Sequence, residues 1–256
     1  MAEKFMEQAK ILSQETIAPD IRSLWIRTEH IAACAAPGQF LSLYCDENSR
    51  LLPRPISICE IDREDSLIRM VYRIAGEGTQ EFSEKTAGGS IRVLGPLGHG
   101  FPLQKKKALL VGGGIGIPPI LELAKQYEGE KSIILGYNNG DTFLADDFKK
   151  QGEVWIATED GSVGTKGTVL DAIRSGGLSA EVLYACGPAP MLRALKAYTE
   201  EQGMECWISM EERMACGIGA CLACVCAATE VDDHTNVKNR RVCREGPVFD
   251  AREVEL

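Results

Sequence analysis

The stretch MACGIGACLACVCAAT, residues 214–229, places four cysteines within eleven residues, and a further one, Cys243, stands in RRVCREGPVF. Cysteine thiolates bind soft and borderline metals or exchange disulfides, whereas buried thiols serve as small apolar side chains. Spacing separates these uses. Cys216, Cys221 and Cys224 follow C-x4-C-x2-C, and Cys243 comes after a further 18 residues. In plant-type [2Fe-2S] centres such spacing lets four thiolates hold two irons while a tight loop wraps the inorganic sulfides. Gly217 and Gly219 permit that loop, because bulky side chains would keep backbone N–H groups from turning toward the sulfurs.

Two other chemistries compete for these thiols. Structural zinc sites pair two short knuckles, and no second cysteine or histidine stands beside Cys243; zinc would need Cys243 and His234 together with two of the others. A redox dithiol of Cys221 and Cys224 belongs at the start of a helix after a strand and would leave Cys216 unexplained. Cys226 reads as a bystander, and with Cys34, Cys45, Cys59, Cys186 and Cys206 it is expected to be a small buried side chain.

Three segments must position these residues. Residues 1–102 show short runs separated by turn chemistry: QFLSLYC, RPISICEID, LIRMVYRI and SIRVLG. Ile68, Met70 and Tyr72 alternate with Arg69, Val71 and Arg73, the period of a strand. An antiparallel β-barrel is expected there. Over residues 103–203, apolar runs (ALLVG, SIILG, EVWIA, EVLYA) alternate with segments of helical spacing, which predicts a doubly wound α/β domain with a parallel sheet. Residues 204–256 hold six of the ten cysteines and are too few to bury a large core, so an inorganic centre is expected to complete it. No internal repeat is visible. The protein is thus read as multidomain, a β-barrel followed by an α/β domain and a small cysteine-rich domain.

In KKKALLVGGGIGIPPILELAK, a strand runs through Gly112, Gly113, Gly114 and Gly116 into a helix opened by Pro118 and Pro119. Glycines let a phosphate approach the backbone, and free N–H groups at a helix start favour its charge. The alternative is a tight turn whose glycines serve only packing. A later strand ends in Ala185, Cys186, Gly187 and Pro188, and ligands of doubly wound sheets lie at the carboxyl ends of strands. Together GGGIG and ACGP resemble the nicotinamide domain of the ferredoxin reductase family, in which the cysteine lies near the nicotinamide ring. The turn GYNNGDTF offers no Arg or Lys for a 2′-phosphate and places Asp141 to oppose one, which favours NAD over NADP.

That resemblance implies FAD in the barrel. In the family an Arg-x-x-Ser segment binds flavin, and LLPRPISI supplies Arg54, Pro55, Ile56 and Ser57, with arginine near the phosphates and the serine hydroxyl near the reactive nitrogen. The usual aromatic third residue is Ile56 here. By the same resemblance Val71, Tyr72 and Arg73 line the flavin, while Gly78 and Thr79 open a short helix whose N–H groups bind the pyrophosphate.

The order of barrel, nicotinamide domain and [2Fe-2S] segment, with RPIS, GGGIGIPP, CGP and MACGIGACLACVC followed by VCREGPVF, resembles the electron-transfer subunits of NAD-dependent dihydroorotate dehydrogenases over essentially the whole chain. The resemblance implies FAD, a [2Fe-2S] cluster and NAD as cofactors, Cys216, Cys221, Cys224 and Cys243 as cluster ligands, and an FMN-containing catalytic subunit as partner in a heterotetramer of two plus two. The alternative within redox proteins is a reductase subunit delivering NAD(P)H electrons to ferredoxin or sulfur compounds. Such relatives tend to replace the first ligand, which is intact here as Cys216. No acid/base dyad or activated nucleophile is visible, so no catalytic side chain is expected and the cofactors do the chemistry.

Bulk properties agree. A formal net charge of -9 argues against a nucleic-acid partner, and Lys105, Lys106 and Lys107 read as solvated. No segment reaches the roughly 18 uncharged apolar residues of a membrane span. With no secretory apolar run either, the chain is expected in the cytoplasm, where ten cysteines do not form a disulfide framework.

Overall fold

The computed structural model describes residues 3–46, 50–232 and 236–256; His234, the histidine considered for zinc, lies outside them. Six strands close an antiparallel barrel: β1 (Phe5–Ala18), β2 (Ile21–Arg27), β3 (Phe40–Tyr44), β4 (Arg54–Asp62), β5 (Leu67–Arg73) and β6 (Ser90–Leu97), in the order β1-β2-β5-β4-β3-β6. Ile68, Met70 and Tyr72 fill its interior with Ile11, Leu24, Leu41, Leu43 and Val93. Two short helices, α1 (Ile31–Cys34) and α2 (Glu77–Ser83), sit in the connections. Cys34, expected to be buried, is exposed at the end of α1.

The second unit is a seven-stranded sheet. Strands β7 (Ala108–Gly113), β8 (Lys131–Tyr137), β9 (Glu153–Thr158), β10 (Thr165–Lys166), β11 (Val182–Cys186) and β12 (Glu205–Ser209) run parallel. Helices α3 (Pro118–Gln126), α4 (Ala145–Lys149), α5 (Val169–Ser175) and α6 (Ala189–Gln202) connect them. The order β10-β9-β8-β7-β11-β12 leaves a switch point between β7 and β11, with Gly112 beside Cys186 in register. Ligands of such sheets bind in that crevice.

The third segment does not stand apart. Its β12 is hydrogen-bonded into the parallel sheet, and β15 (Val248–Asp250) closes the sheet's edge antiparallel to β12. Only β13 (Val225–Ala227) and β14 (Asn239–Arg241) form a sheet of their own. Cys224, Cys226, Val242, Cys243, Phe249 and Val254 share one apolar cluster with Leu183 and Ile208 of the sheet and with Phe40 and Leu97 of the barrel. A segment this short gains its core by borrowing a face from each neighbour.

Barrel and sheet are clasped through α3. Glu122, 2% exposed, accepts the Ile61 N–H of β4 at 2.8 Å and a Gln126 amide N–H at 2.6 Å. Around it Glu60 pairs with Lys125 and with Arg69, which also reaches Asp147. Burial, the largest influence, raises the Glu122 carboxyl above its ordinary range, against the hydrogen bonds from Gln126 and Ile61. A carboxyl raised in the folded state holds its proton more tightly than in the unfolded chain, so its contribution to stability falls as pH rises through the carboxylate range. Glu122→Gln keeps an acceptor for Ile61 and removes the charge. In urea titrations its stability relative to the unsubstituted protein should rise between about pH 4 and about pH 7. Glu122→Ala should instead lose ~1–3 kcal/mol, because the Ile61 N–H is left buried and unpaired.

Candidate functional site

The four predicted cluster cysteines come together as two pairs. Cys216 and Cys221 face each other across one loop, and Cys224 faces Cys243, which follows β14. Cys216 Sγ accepts the N–H groups of Ile218 at 3.5 Å and Ala220 at 3.3 Å, and Cys221 Sγ accepts that of Cys216 at 3.5 Å. Cys224 Sγ accepts the Cys243 N–H at 3.4 Å. Gly217 (φ 68°) and Gly219 (φ 86°) supply the left-handed conformations that turn those N–H groups inward.

These contacts favour thiolate. Burial opposes ionisation of Cys216, but the N–H of Ile218 and the contacts with Cys221 outweigh it and lower its pKa. In the second pair the Cys243 thiol stabilises a thiolate on Cys224, lowering Cys224 and raising Cys243. Two thiol pairs joined by a loop of inward N–H groups suit a centre with two ligands per metal, so the donor set fits a [2Fe-2S] cluster. Among the described residues, no group of three or more His, Cys, Asp or Glu side chains is arranged to hold a single metal ion. Cys226 is the expected bystander: buried, pushed up to about 11 by burial, its thiol directed at the Arg240 carbonyl. Arg241, 6% exposed, fastens the loop by donating to the Gly219 carbonyl at 3.2 Å while paired with Glu245.

The flavin segment begins β4. A Cβ on Gly78 would lie 2.6 Å from Arg54 Nε, so the missing side chain lets the guanidinium lie across the first turn of α2. Thr79 shapes that turn: its hydroxyl accepts the N–H groups of Ala75 and Gly76 and donates to the Gly76 carbonyl. Strand register puts Ser57 opposite Phe40 and Pro55 opposite Ser42, on the outer face of the barrel. Ile56, opposite Leu41, packs against the barrel core and is not a free stacking face. Tyr72, expected with Val71 and Arg73 to line the flavin, turns its ring into the barrel with Ile68 and Met70, where its hydroxyl donates to Gln14 Oε1 at 3.0 Å, so its backbone is the part of it that faces outward. Val71 lies on the outer face, buried in the same cluster as Ile117 of the glycine turn, and Arg73 is exposed.

In the nicotinamide segment the glycines divide by role. A Cβ on Gly112 would meet the Ile117 backbone at 2.9 Å, on Gly113 the Met191 sulfur at 2.5 Å, and on Gly116 the Cys186 carbonyl carbon at 2.5 Å. Gly187 is likewise closed in, by Met191 at 2.4 Å and Gly113 at 3.2 Å. These four draw the ends of β7 and β11 together. Of the GGGIG and CGP glycines, Gly114 combines a left-handed backbone (φ 54°) with open space, the position a phosphate can approach. Pro118 and Pro119 remove two N–H donors from the first turn of α3, so a phosphate relies on the preceding turn, Gly114–Gly116. Pro188 precedes α6, and burial pushes the Cys186 thiol up to about 12 against a Ser209 hydrogen bond, so it stays neutral.

Comparison with known proteins decides the family. The iron-sulfur cluster binding domain of dihydroorotate dehydrogenase B matches residues 211–255. The chain is 46% identical to the dihydroorotate dehydrogenase B (NAD(+)) electron transfer subunit of Fusobacterium nucleatum, over 98% of this chain and 99% of that protein. The chain belongs to the family of these electron transfer subunits. The subunit of a Geobacillus strain is 44% identical over 98% of both chains. Among solved structures, an NADH-dependent reduced ferredoxin-NADP oxidoreductase aligns with TM-score 0.87 and 28% identity, over 97% of this chain and 90% of that one. A ferredoxin NADP+ reductase of Neisseria gonorrhoeae shares the fold at TM-score 0.64 and 17% identity, over 77% of this chain and 92% of that one.

Family membership makes the chain an electron-transfer oxidoreductase subunit. Three residues that the structure sets against the predicted motifs do not stand out in the sequence: Arg241, which fastens the cysteine loop, Met191, which closes the glycine turn, and Ser42, which abuts Gly217. Arg241 adjoins the VC dipeptide of the fourth ligand and was within reach. Nothing local marks Ser42 or Met191, because their partners are 175 and 78 positions away in the chain, from 42 to 217 and from 113 to 191.

Proposed function

We propose that this chain passes electrons between an FMN-containing subunit that oxidises dihydroorotate and NAD, in pyrimidine (UMP) biosynthesis, within a cytoplasmic heterotetramer of two such chains and two catalytic ones. The supporting observation is the pairing of Cys216 with Cys221 and Cys224 with Cys243 in a segment packed on Phe40 of β3 and Leu97 of β6, with β3 hydrogen-bonded to the strand that carries Arg54 to Ser57. When bound, FAD and a [2Fe-2S] cluster supply the change between two-electron exchange with a nicotinamide and single-electron transfer.

The chain's residues bind and orient. Arg54 balances pyrophosphate charge beside Gly78, and Ser57 on the outer face orients the flavin ring. Gly114 admits the dinucleotide phosphate, and the neutral Cys186 thiol packs at the crevice where the nicotinamide lies. Asn138, Asn139 and Asp141 are exposed after β8 and offer no cation to a 2′-phosphate, which supports NAD. Residues 1–102 form the flavin unit, 103–203 the nucleotide unit and 204–256 the cluster unit, the last lending β12 and β15 to the sheet. Exposed Ile218 and Leu222 on the cysteine loop put the cluster edge at a surface a partner can cover. Among the described residues no helix is long and apolar enough to cross a membrane.

The test is the visible spectrum of anaerobically purified protein titrated with NADH. Flavin and cluster bands that bleach together support the reading; a colourless protein with stoichiometric zinc overturns it. The likeness to the ferredoxin-NADP oxidoreductase favours a second reading, transfer to ferredoxin. Co-purification with an FMN protein active on dihydroorotate separates the two.

A further inference from the structure

Ser42 sits where the flavin strands meet the cysteine loop. It is 1% exposed on the outer face of β3, opposite Pro55 of the flavin segment, and its hydroxyl has no hydrogen-bond partner among the described residues. A Cβ on Gly217 would lie 2.8 Å from Ser42 Oγ and 3.3 Å from Leu97 Cδ1, so the hydroxyl is pressed against the residue that follows Cys216. The loop N–H groups of Ile218 and Ala220 are already committed to Cys216 Sγ, and the neighbouring Leu97 Cδ1 methyl offers no acceptor. A buried hydroxyl needs a partner, because leaving it unpaired forfeits the hydrogen bond it makes in water.

We propose that the Ser42 hydroxyl donates a hydrogen bond to a sulfur of the cluster held at Cys216, and so sets the cluster's reduction potential; this rests on the iron-sulfur reading above. Reduction adds one electron to the cluster and concentrates negative charge on its sulfurs. A donor fixed against one of them stabilises the reduced form more than the oxidised one, which raises the potential. The setting strengthens the effect, since Phe40, Leu97 and Cys224 share an apolar cluster that keeps the local dielectric low. Ser42 is then a positioning residue on the side of the cluster that faces the flavin strands, favouring arrival of the electron at the cluster without touching the flavin.

The experiment uses the loaded complex with its catalytic subunit and EPR-monitored potentiometric titration of Ser42→Ala and Ser42→Cys. Ser42→Ala should shift the one-electron equilibrium about tenfold toward the oxidised cluster, about 59 mV more negative. Ser42→Cys, whose S–H is a weaker donor, should fall between. The FAD potential should not move, and one exchangeable-proton coupling, seen on comparing spectra in H2O and D2O, should vanish in Ser42→Ala. An unchanged cluster potential in a protein that shows the EPR signal overturns the inference and leaves the function intact. A shift in the FAD potential alone also overturns it. Absence of the signal from the unsubstituted protein overturns the iron-sulfur reading and this inference together.

Discussion

Cys216→Ser and Cys243→Ser should each abolish the cluster, while Cys206→Ser should leave it in place. The two ligands are chosen from opposite pairs: Cys216 faces Cys221, and Cys243 faces Cys224. A serine oxygen is a harder ligand than a thiolate and does not reproduce the soft donor that iron-sulfur chemistry selects. Each substitution therefore leaves one iron short of a thiolate, and iron and acid-labile sulfide should fall to background. Cys206 is buried, as Cys243 is, but it lies on β12 beside Leu183, where burial pushes its thiol up to about 11. NADH should still reduce the flavin in all three proteins, within about twofold, because none of the three cysteines is among the residues of β4, α2 and the glycine turn proposed to hold FAD and NADH. Electron delivery to the catalytic subunit should survive only in Cys206→Ser. Equal loss of iron in all three would mean that the ligand set is wrong.

The cluster was the most legible part of the chain because its chemistry is written in spacing. Three cysteines at fixed short intervals among small residues specify a loop whatever surrounds it, and a fourth after a further 18 residues completes the pattern. The sheet was legible for a related reason: buried parallel strands read as apolar runs, and VGGGIG and ACGP mark the ends of the two that flank the crevice. What escaped depended on distant partners. β1 is built of FMEQAKILSQETIA, rich in the helix formers Glu, Gln, Lys and Ala, and becomes a strand only by pairing with β2 on one side and β6 on the other. The end of the α/β unit was hidden likewise. ECWIS, Glu205–Ser209, is too short to announce its neighbour, and register with Val182–Cys186 recruits it. The alternation of Ile68, Met70 and Tyr72 marks a strand, and a period of two puts all three on the face that the structure turns into the barrel.

Gly116→Ala should cost the protein its use of NADH while sparing both other sites. A Cβ at residue 116 would stand 2.5 Å from the carbonyl carbon and oxygen of Cys186 and from the Gly187 nitrogen. Those are backbone atoms at the end of β11, so no side-chain rotation relieves the contact, and the two strand ends must part. Overpacking of this kind costs ~1–3 kcal/mol of stability. The larger effect is on geometry, since displacing reacting groups by about 1 Å costs about 100-fold in rate. Reduction of the bound flavin by NADH should slow by about that factor, while dithionite still reduces flavin and cluster. Gly114→Ala makes the contrast. No atom lies within 4 Å of its Cβ, and an alanine at φ 54° costs ~1–2 kcal/mol while placing a methyl where a phosphate would approach. That variant should bind NADH weakly yet react at a near-normal limiting rate once saturated. If Gly116→Ala instead weakened binding alone, with the limiting rate intact, the crevice between β7 and β11 would hold the phosphate and not the ring, and Cys186 would lose its assignment beside the nicotinamide.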